Sequence, residues 1–247
     1  MTKKLGKNFL IDHNVAEREV AYAQITKGDV VLEIGPGKGI LTTKLAKKAK
    51  KVIAIEIDKK LAEALRKTLP QNVELIHDDA LKTDFTTLPK FNKIVSNLPF
   101  QISSPITFKF LDHDFEMAVL IYQKEFADRM VAKPGSKDYS RLSVGTYYRT
   151  NCKLLETIPK TLFQPQPKVD SRMIQLIPRS SPPFFVVNES FYFDMVNKLF
   201  SHRRKKIETT LRKTYGKLNK NVPYLNKRAE ELTPEQMGEL SNILFEL

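Results

Sequence analysis

From Asp29 to Lys60 the chain alternates an apolar run, a cluster of glycines, a helical stretch and a second apolar run, and this order constrains the fold more than any other feature. Asp29-Val-Val-Leu-Glu-Ile leads into Gly35-Pro-Gly-Lys-Gly39, Ile40 to Lys48 has helical spacing, and Lys51-Val-Ile-Ala-Ile-Glu-Ile-Asp58 reads as the next strand. The plan then repeats. KKLAEALRKTL is strongly helical, Val73-Glu-Leu-Ile-His is a third strand, and Asn92-Lys-Ile-Val-Ser is a fourth that ends at Asn97. Glu116-Met-Ala-Val-Leu-Ile-Tyr is a fifth strand, followed by a helix from about Lys124 to Met130. Upstream, Asp12 suits the N-cap of a helix carrying Val15, Val20 and Ala23. Strands alternating with helices at this spacing predict an α/β fold with a parallel, doubly wound sheet. Ligands of such a sheet gather at the carboxyl ends of its strands.

The plan changes near Ile177. Pro178, Ser180, Ser181, Pro182 and Pro183 form a joint, and beyond it helical spacing dominates. Phe191, Met195, Leu199, Ile207 and Leu211 follow that spacing. Thr233-Pro-Glu-Gln236 is a capping-box start feeding Met237, Leu240, Ile243 and Leu244. The expected division is therefore an α/β domain over 1–180 and a small α-helical domain over 181–247.

Charge points to the partner. Forty-one Lys and Arg against 28 Asp and Glu leave a formal +13, and such an excess favours a polyanion, because each neutralised phosphate releases condensed counterions. Lys44–Lys51 holds five lysines in eight residues, and Ser201–Lys206 runs Ser-His-Arg-Arg-Lys-Lys. The single cysteine, Cys152, excludes an intrachain disulfide framework and is expected as a small buried residue in a reducing compartment. No run approaches the roughly 18 apolar residues of a membrane span. The N-terminal residues lack the pattern of a secretory signal. A cytoplasmic protein without membrane contact is expected.

The chemistry is expected at the strand ends. Gly35-Pro-Gly-Lys-Gly39 is a tight turn whose backbone can approach a ligand closely. It is not the dinucleotide G-x-G-x-x-G fingerprint. Glu56 ends the second strand, where a carboxylate can accept from both ribose hydroxyls; otherwise it is a surface acid beside Asp58. Asp79 ends the third, where it can accept from the exocyclic amine of an adenine; otherwise it is a turn or N-cap residue. Nicotinamide cofactors and S-adenosylmethionine both meet that description.

Asn97-Leu-Pro-Phe100 separates the two, because an Asn-x-Pro-aromatic turn has no standard role in hydride transfer. It does suit methylation of a nucleobase amine. The lone pair of adenine N6 is delocalised into the ring, and two acceptors aimed at its hydrogens would localise it on nitrogen. The Asn97 side-chain carbonyl and the Leu98 main-chain carbonyl can supply them. Pro99 fixes the turn, and Phe100 offers a face for base stacking, worth about 1–3 kcal/mol. Positioning and electrostatics then supply most of the catalysis.

These stretches together resemble the ribosomal RNA adenine dimethyltransferase family, close to the enzymes that dimethylate two adjacent adenosines near the 3′ end of small-subunit rRNA. The resemblance rests on LGKNFLID (Leu5–Asp12), VLEIGPGKGILT (Val31–Thr42), VIAIEID (Val52–Asp58), DDAL (Asp78–Leu81), NLPFQISSPIT (Asn97–Thr107), QKEFADRMVAKPGSKDYSRLSV (Gln123–Val144) and FQPQPKVDS (Phe163–Ser171). It implies a Rossmann-like class I methyltransferase sheet and S-adenosylmethionine as cofactor.

It further implies that Asn8 and Leu10 close over the methionine end and that Gly35 and Gly37 lie against the cofactor. Glu56, with Ile57, holds the ribose; Asp79, with Ala80, reads the adenine; Asn97 borders cofactor and target alike. By the same resemblance the target base lies between Phe100 and Phe163, although sequence alone favours a core aromatic at Phe163. The basic C-terminal helices would contact rRNA within an immature small subunit, with the enzyme a monomer. The stretch around Tyr139 and Arg141 would run near the RNA path. No metal is implied. Two departures stand out: Lys7 replaces the family's usual Gln, and Phe100 its usual Tyr. A macrolide-resistance type large-subunit methylase, a non-catalytic assembly factor and, more distantly, an NAD-dependent oxidoreductase are the alternatives.

Overall fold

The computed structural model describes residues 8–218 and 221–246, so Lys7 lies outside the described residues. The chain divides into two compact units, 1–127 with 151–178 and 128–150 with 179–247.

In the first unit a short β1 (Phe9–Leu10) precedes α1 (His13–Tyr22). Asp12 caps α1, its carboxylate accepting from the Val15 N–H at 2.9 Å. The apolar runs become β2 (Val30–Ile34), β3 (Lys51–Glu56), β4 (Val73–His77), β5 (Lys93–Asn97) and β6 (Met117–Gln123), with α2 (Ile40–Lys48), α3 (Lys59–Arg66) and α4 (Ser103–Leu111) between them. These strands pair in parallel in the order β4-β3-β2-β5-β6. Val31, Leu32, Val52, Ile53, Ile94 and Val95 are wholly buried, which is why the strands read as continuous apolar runs rather than alternating ones. From α1 and α2, Val15, Val20, Leu41 and Leu45 join Val31, Val52 and Val95 in one core.

The expected parallel sheet is in fact mixed. After α5 (Lys124–Met130) and α6 (Arg141–Arg149) come β7 (Thr150–Ile158), β8 (Phe163–Gln164) and β9 (Ser171–Pro178). β9 lies antiparallel to β6, from Ala118 opposite Leu176 to Gln123 opposite Ser171, and β7 forms the outer edge. Lys153, Glu156, Arg172 and Gln175 interrupt the apolar pattern of β7 and β9. At the edge, β7 can keep such residues in water, so its sequence resembles a loop. The pair β1–β8 sets Phe9 opposite Gln164 and Leu10 opposite Phe163.

In the second unit α6, α7 (Glu189–Ser201), α8 (Ile207–Tyr215) and α9 (Pro234–Phe245) enclose an aromatic-rich core. Met195, Leu199, Ile207, Leu211, Met237 and Leu240 are buried in it as their spacing predicts. Thr233 starts α9 with a reciprocal box: its hydroxyl accepts from Gln236 N–H at 3.2 Å and its N–H donates to the Gln236 side chain at 3.1 Å. The joint near residue 178 is only one of three crossings between units. Residues 128–150, placed with the first domain by a linear reading of 1–180, pack in the second, because Tyr139, Val144 and Tyr148 share a core with Tyr192 and Met195. Among the described residues no helix is long and apolar enough to cross a membrane.

Candidate active site

A cavity of about 380 Å³ opens where β2, β3, β4 and β5 end. Its size suits a small organic ligand. Asn8, Leu10, Gly35, Gly37, Glu56, Ile57, Asp79, Ala80, Asn97, Leu98 and Phe100, all expected at a site from sequence, line it together.

The glycine turn is built for close approach. Gly35 and Gly37 have φ of 70° and 58°, a left-handed backbone that side chains disfavour. A Cβ at Gly35 would stand 3.1 Å from the Pro99 ring, and one at Gly37 would stand 2.8 Å from the Phe9 ring. The turn after β2 therefore touches the turn after β5, and bare backbone faces the cavity.

Each acid is oriented by its neighbours. Glu56, at the end of β3, accepts from the Gly37 N–H at 3.2 Å and the Asp58 N–H at 2.8 Å. This clamps its carboxylate against the glycine turn. Asp79 accepts from the Leu81 N–H at 3.0 Å, and its own N–H donates to Asp78 at 2.8 Å. The hydrogen bond from the Thr83 hydroxyl, followed by that from the Asp79 N–H, holds the Asp78 carboxyl below the usual carboxylate range.

Asn97 is the last residue of β5 and is half-buried. Leu98 is buried, Pro99 sits at φ −60°, and Phe100 opens a single 3-10 turn whose Ile102 N–H donates to the Pro99 carbonyl at 3.1 Å. Also in the lining, the Asn8 amide donates to the Pro165 carbonyl at 2.6 Å, which ties the residue-8 segment to the chain after β8.

Phe163 is not brought to this site. It is 2 % exposed, packed in the core with Val95, Val119 and Met173, and does not line the cavity. Pairing of β8 with β1 sets it opposite Leu10, and both side chains lie in the apolar interior, the placement its sequence alone favoured. Of the two faces expected around a target base, only Phe100 is presented.

Among the lining residues that went unpredicted, a buried acid stands out. Glu33 is 2 % exposed within β2 and leaves Oε2 without a hydrogen-bond partner. Burial chiefly, opposed by the Thr42 hydroxyl and reinforced by the Glu56 charge, pushes its carboxyl up to about 8. An acid inside a buried parallel strand was the available signal, since such a group is costly unless it has work to do.

The basic stretches sort into structural and free cations. Arg203 is turned inward, bonded to Glu230 and to the Lys137 and Ser136 carbonyls at 2.7 and 3.1 Å, whereas Arg204, Lys205 and Lys206 are exposed. Tyr139, expected near an RNA path, is instead buried in the second core, and Arg141 donates to Asn197 at 2.7 Å. Cys152 is half-buried on the edge strand β7.

A family model described as ribosomal RNA adenine dimethylase matches residues 1–246. A protein of Thermococcus onnurineus, named a probable ribosomal RNA small subunit methyltransferase A, is 49 % identical over 254 residues that cover 97 % of this chain and 91 % of its own. The crystal structure of a dimethyladenosine transferase from Plasmodium falciparum is 30 % identical with a TM-score of 0.78, covering 94 % of this chain and 95 % of the other. That of the 23S rRNA methyltransferase ErmE is also 30 % identical, with a TM-score of 0.71, covering 96 % and 100 %.

Proposed function

This chain belongs to the ribosomal RNA adenine dimethylase family, and from that premise we propose that it converts two adjacent adenosines near the 3′ end of small-subunit rRNA to N6,N6-dimethyladenosine. It is an S-adenosylmethionine-dependent rRNA adenine dimethyltransferase. The higher identity to small-subunit methyltransferases, 49 % against 30 % for ErmE, favours the small subunit over the large.

The residues present fit S-adenosylmethionine. The Gly35–Gly37 turn is bare backbone where a Cβ would crowd Pro99 or Phe9, and acceptors follow at the ends of the next two strands at Glu56 and Asp79. We assign Glu56, beside Ile57, to the ribose, Asp79 with Ala80 to the adenine, the Gly35 and Gly37 backbone to the middle of the cofactor, and Asn8 and Leu10 to its methionine end. When bound, this cofactor supplies a sulfonium methyl as electrophile. The protein does the rest by placement. Asn97 and the Leu98 carbonyl accept from the target amine and localise its lone pair, and Pro99 holds both against the glycine turn. Phe100 stacks on the base, while Phe163 supports the wall from the core.

The observation that carries this reading is the contact of Gly35 with Pro99, which joins the cofactor turn to the amine clamp in one cavity. The exposed cations Arg204, Lys205 and Lys206 fit a role of the helical unit on rRNA. The substrate is the immature small subunit, met in the cytoplasm by a monomer.

The test is transfer of labelled methyl from S-adenosylmethionine to immature small subunits, large subunits and naked rRNA in parallel. Label confined to small-subunit adenosines is expected, and label confined to large-subunit RNA refutes the assignment. Asn97→Ala is expected to abolish that label; near-normal transfer would remove the amine clamp.

A further inference from the structure

Lys109 lies on the last turn of α4, the helix that begins directly after the Asn97–Phe100 turn. Its ammonium donates to the Ala80 carbonyl at 2.9 Å, to the Leu81 carbonyl at 3.3 Å and to the Thr83 carbonyl. An ammonium has three donors, so these carbonyls use all of it. The same nitrogen lies 4.2 Å from the Phe85 ring centroid, which covers it with the negative face of the ring. It also sits in the field of Asp84, Asp79 and Asp78.

The carbonyls converge because residues 79–83 form a tight turn, in which the Lys82 and Thr83 N–H groups both donate to the Asp79 carbonyl, at 2.8 and 2.9 Å. That turn also aims the Asp79 carboxylate, through the Leu81 N–H at 3.0 Å. Three carbonyl dipoles pointed at one place repel unless a cation joins them. Without Lys109 the arrangement is unsatisfied and the turn opens.

We propose that Lys109 is a positioning residue for cofactor recognition: by capping the Ala80, Leu81 and Thr83 carbonyls it holds Asp79 aimed at the adenine amine and ties that loop to the helix of the amine clamp. This rests on Asp79 reading the exocyclic amine of the cofactor. A lysine that merely tethered a loop would affect every ligand of the cavity equally, whereas one that aims Asp79 affects only ligands carrying that amine.

The experiment measures, on the full chain by titration calorimetry, the dissociation constants of S-adenosylhomocysteine and of S-inosylhomocysteine, whose 6-oxo group replaces the amine. The wild type is expected to prefer the adenosyl ligand by at least about tenfold, the worth of one hydrogen bond to a charged group. Lys109→Met is expected to weaken the adenosyl ligand by about tenfold and the inosyl ligand by less than about threefold, so that the preference collapses. Equal weakening of both ligands, or an unchanged preference, overturns the proposal. Asp79→Ala separates the two claims, because a preference that survives it refutes the reading of Asp79 itself. Should Lys109→Met not fold, Lys109→Arg carries the same test, since a planar guanidinium keeps the charge but cannot set three N–H groups on the converging carbonyls.

Discussion

Replacing Gly35 by alanine tests whether the cofactor turn and the amine clamp act as one unit. Two costs follow from the structure. At φ 70° an alanine loses about 1–2 kcal/mol to the left-handed backbone. Its Cβ would then meet Pro99 at 3.1 and 3.2 Å, inside the optimum of about 3.5–4.0 Å for carbon pairs. A proline ring cannot rotate aside, so the turn itself must retreat by a few tenths of an ångström and carry Asn97 and Phe100 with it. A total of about 2 kcal/mol corresponds to a fall in Tm of roughly 4–8 °C for a chain of this size. The displaced clamp is expected to cut kcat by roughly fivefold to tenfold, since an error of about 1 Å costs on the order of a hundredfold.

Two other glycines separate these causes. Gly135 has φ 80° and nothing within 4 Å of where a methyl group would stand, so Gly135→Ala carries the backbone cost alone. Gly28 is without a left-handed φ, and its nearest contact is 3.7 Å, so Gly28→Ala is expected to be neutral. Thermal unfolding and steady-state methyl transfer on the three variants decide the matter. If Gly35→Ala loses no more Tm than Gly135→Ala and keeps wild-type kcat, the coupling of the two turns is refuted.

Other consequences are as direct. Phe100→Ala is expected to lower kcat/KM for the rRNA substrate by roughly tenfold or more through lost stacking, while Phe100→Tyr stays near wild type; equal losses in kinetic assays would remove the stacking role. Because the Glu33 carboxyl is raised to about 8 in the folded chain, the folded state holds that proton more tightly than the unfolded one. Its contribution to stability is therefore complete below about pH 4.5 and is lost as pH rises toward 8, at about 1.4 kcal/mol per unit of separation. Ligand-free Glu33→Gln is expected to show a flatter Tm–pH curve over that window, and parallel curves would contradict the account. Replacing Arg204, Lys205 and Lys206 together by serine is expected to reduce the salt slope of rRNA binding by about 3, about one per phosphate contact, with little change in Tm. Arg203→Ala should do the opposite, losing its bonds to Glu230, Lys137 and Ser136 and with them stability; its salt slope falling as far as that of the triple variant would refute this division.

The division between what sequence and structure each reveal follows from the range of the forces involved. Strand ends, caps and glycine turns depend on neighbours along the chain. Asp12, Thr233 and the β2–β6 core strands were for that reason legible in the residues themselves. So was the convergence of Glu56, Asp79 and Asn97, because a parallel sheet brings the ends of its strands to one edge whatever lies between them. The antiparallel β9, the edge strand β7 and the second-core placement of residues 128–150 were not legible. Their mixed polar and apolar patterns acquire meaning only against partners far along the chain.

The same distinction holds within the site. Sequence alone named the side chains proposed for the chemistry: the bare glycine turn, two acids in order, and an Asn-Leu-Pro-Phe turn. Tertiary structure alone decided which of them line the cavity. It buried the Phe163 ring through the β1–β8 pair, turned Arg203 inward onto Glu230, and set Glu33 at the cavity wall with Oε2 unpartnered. Residue type is written locally, whereas burial is a property of the packed whole, and burial settles what an aromatic ring, a guanidinium or a carboxyl can do.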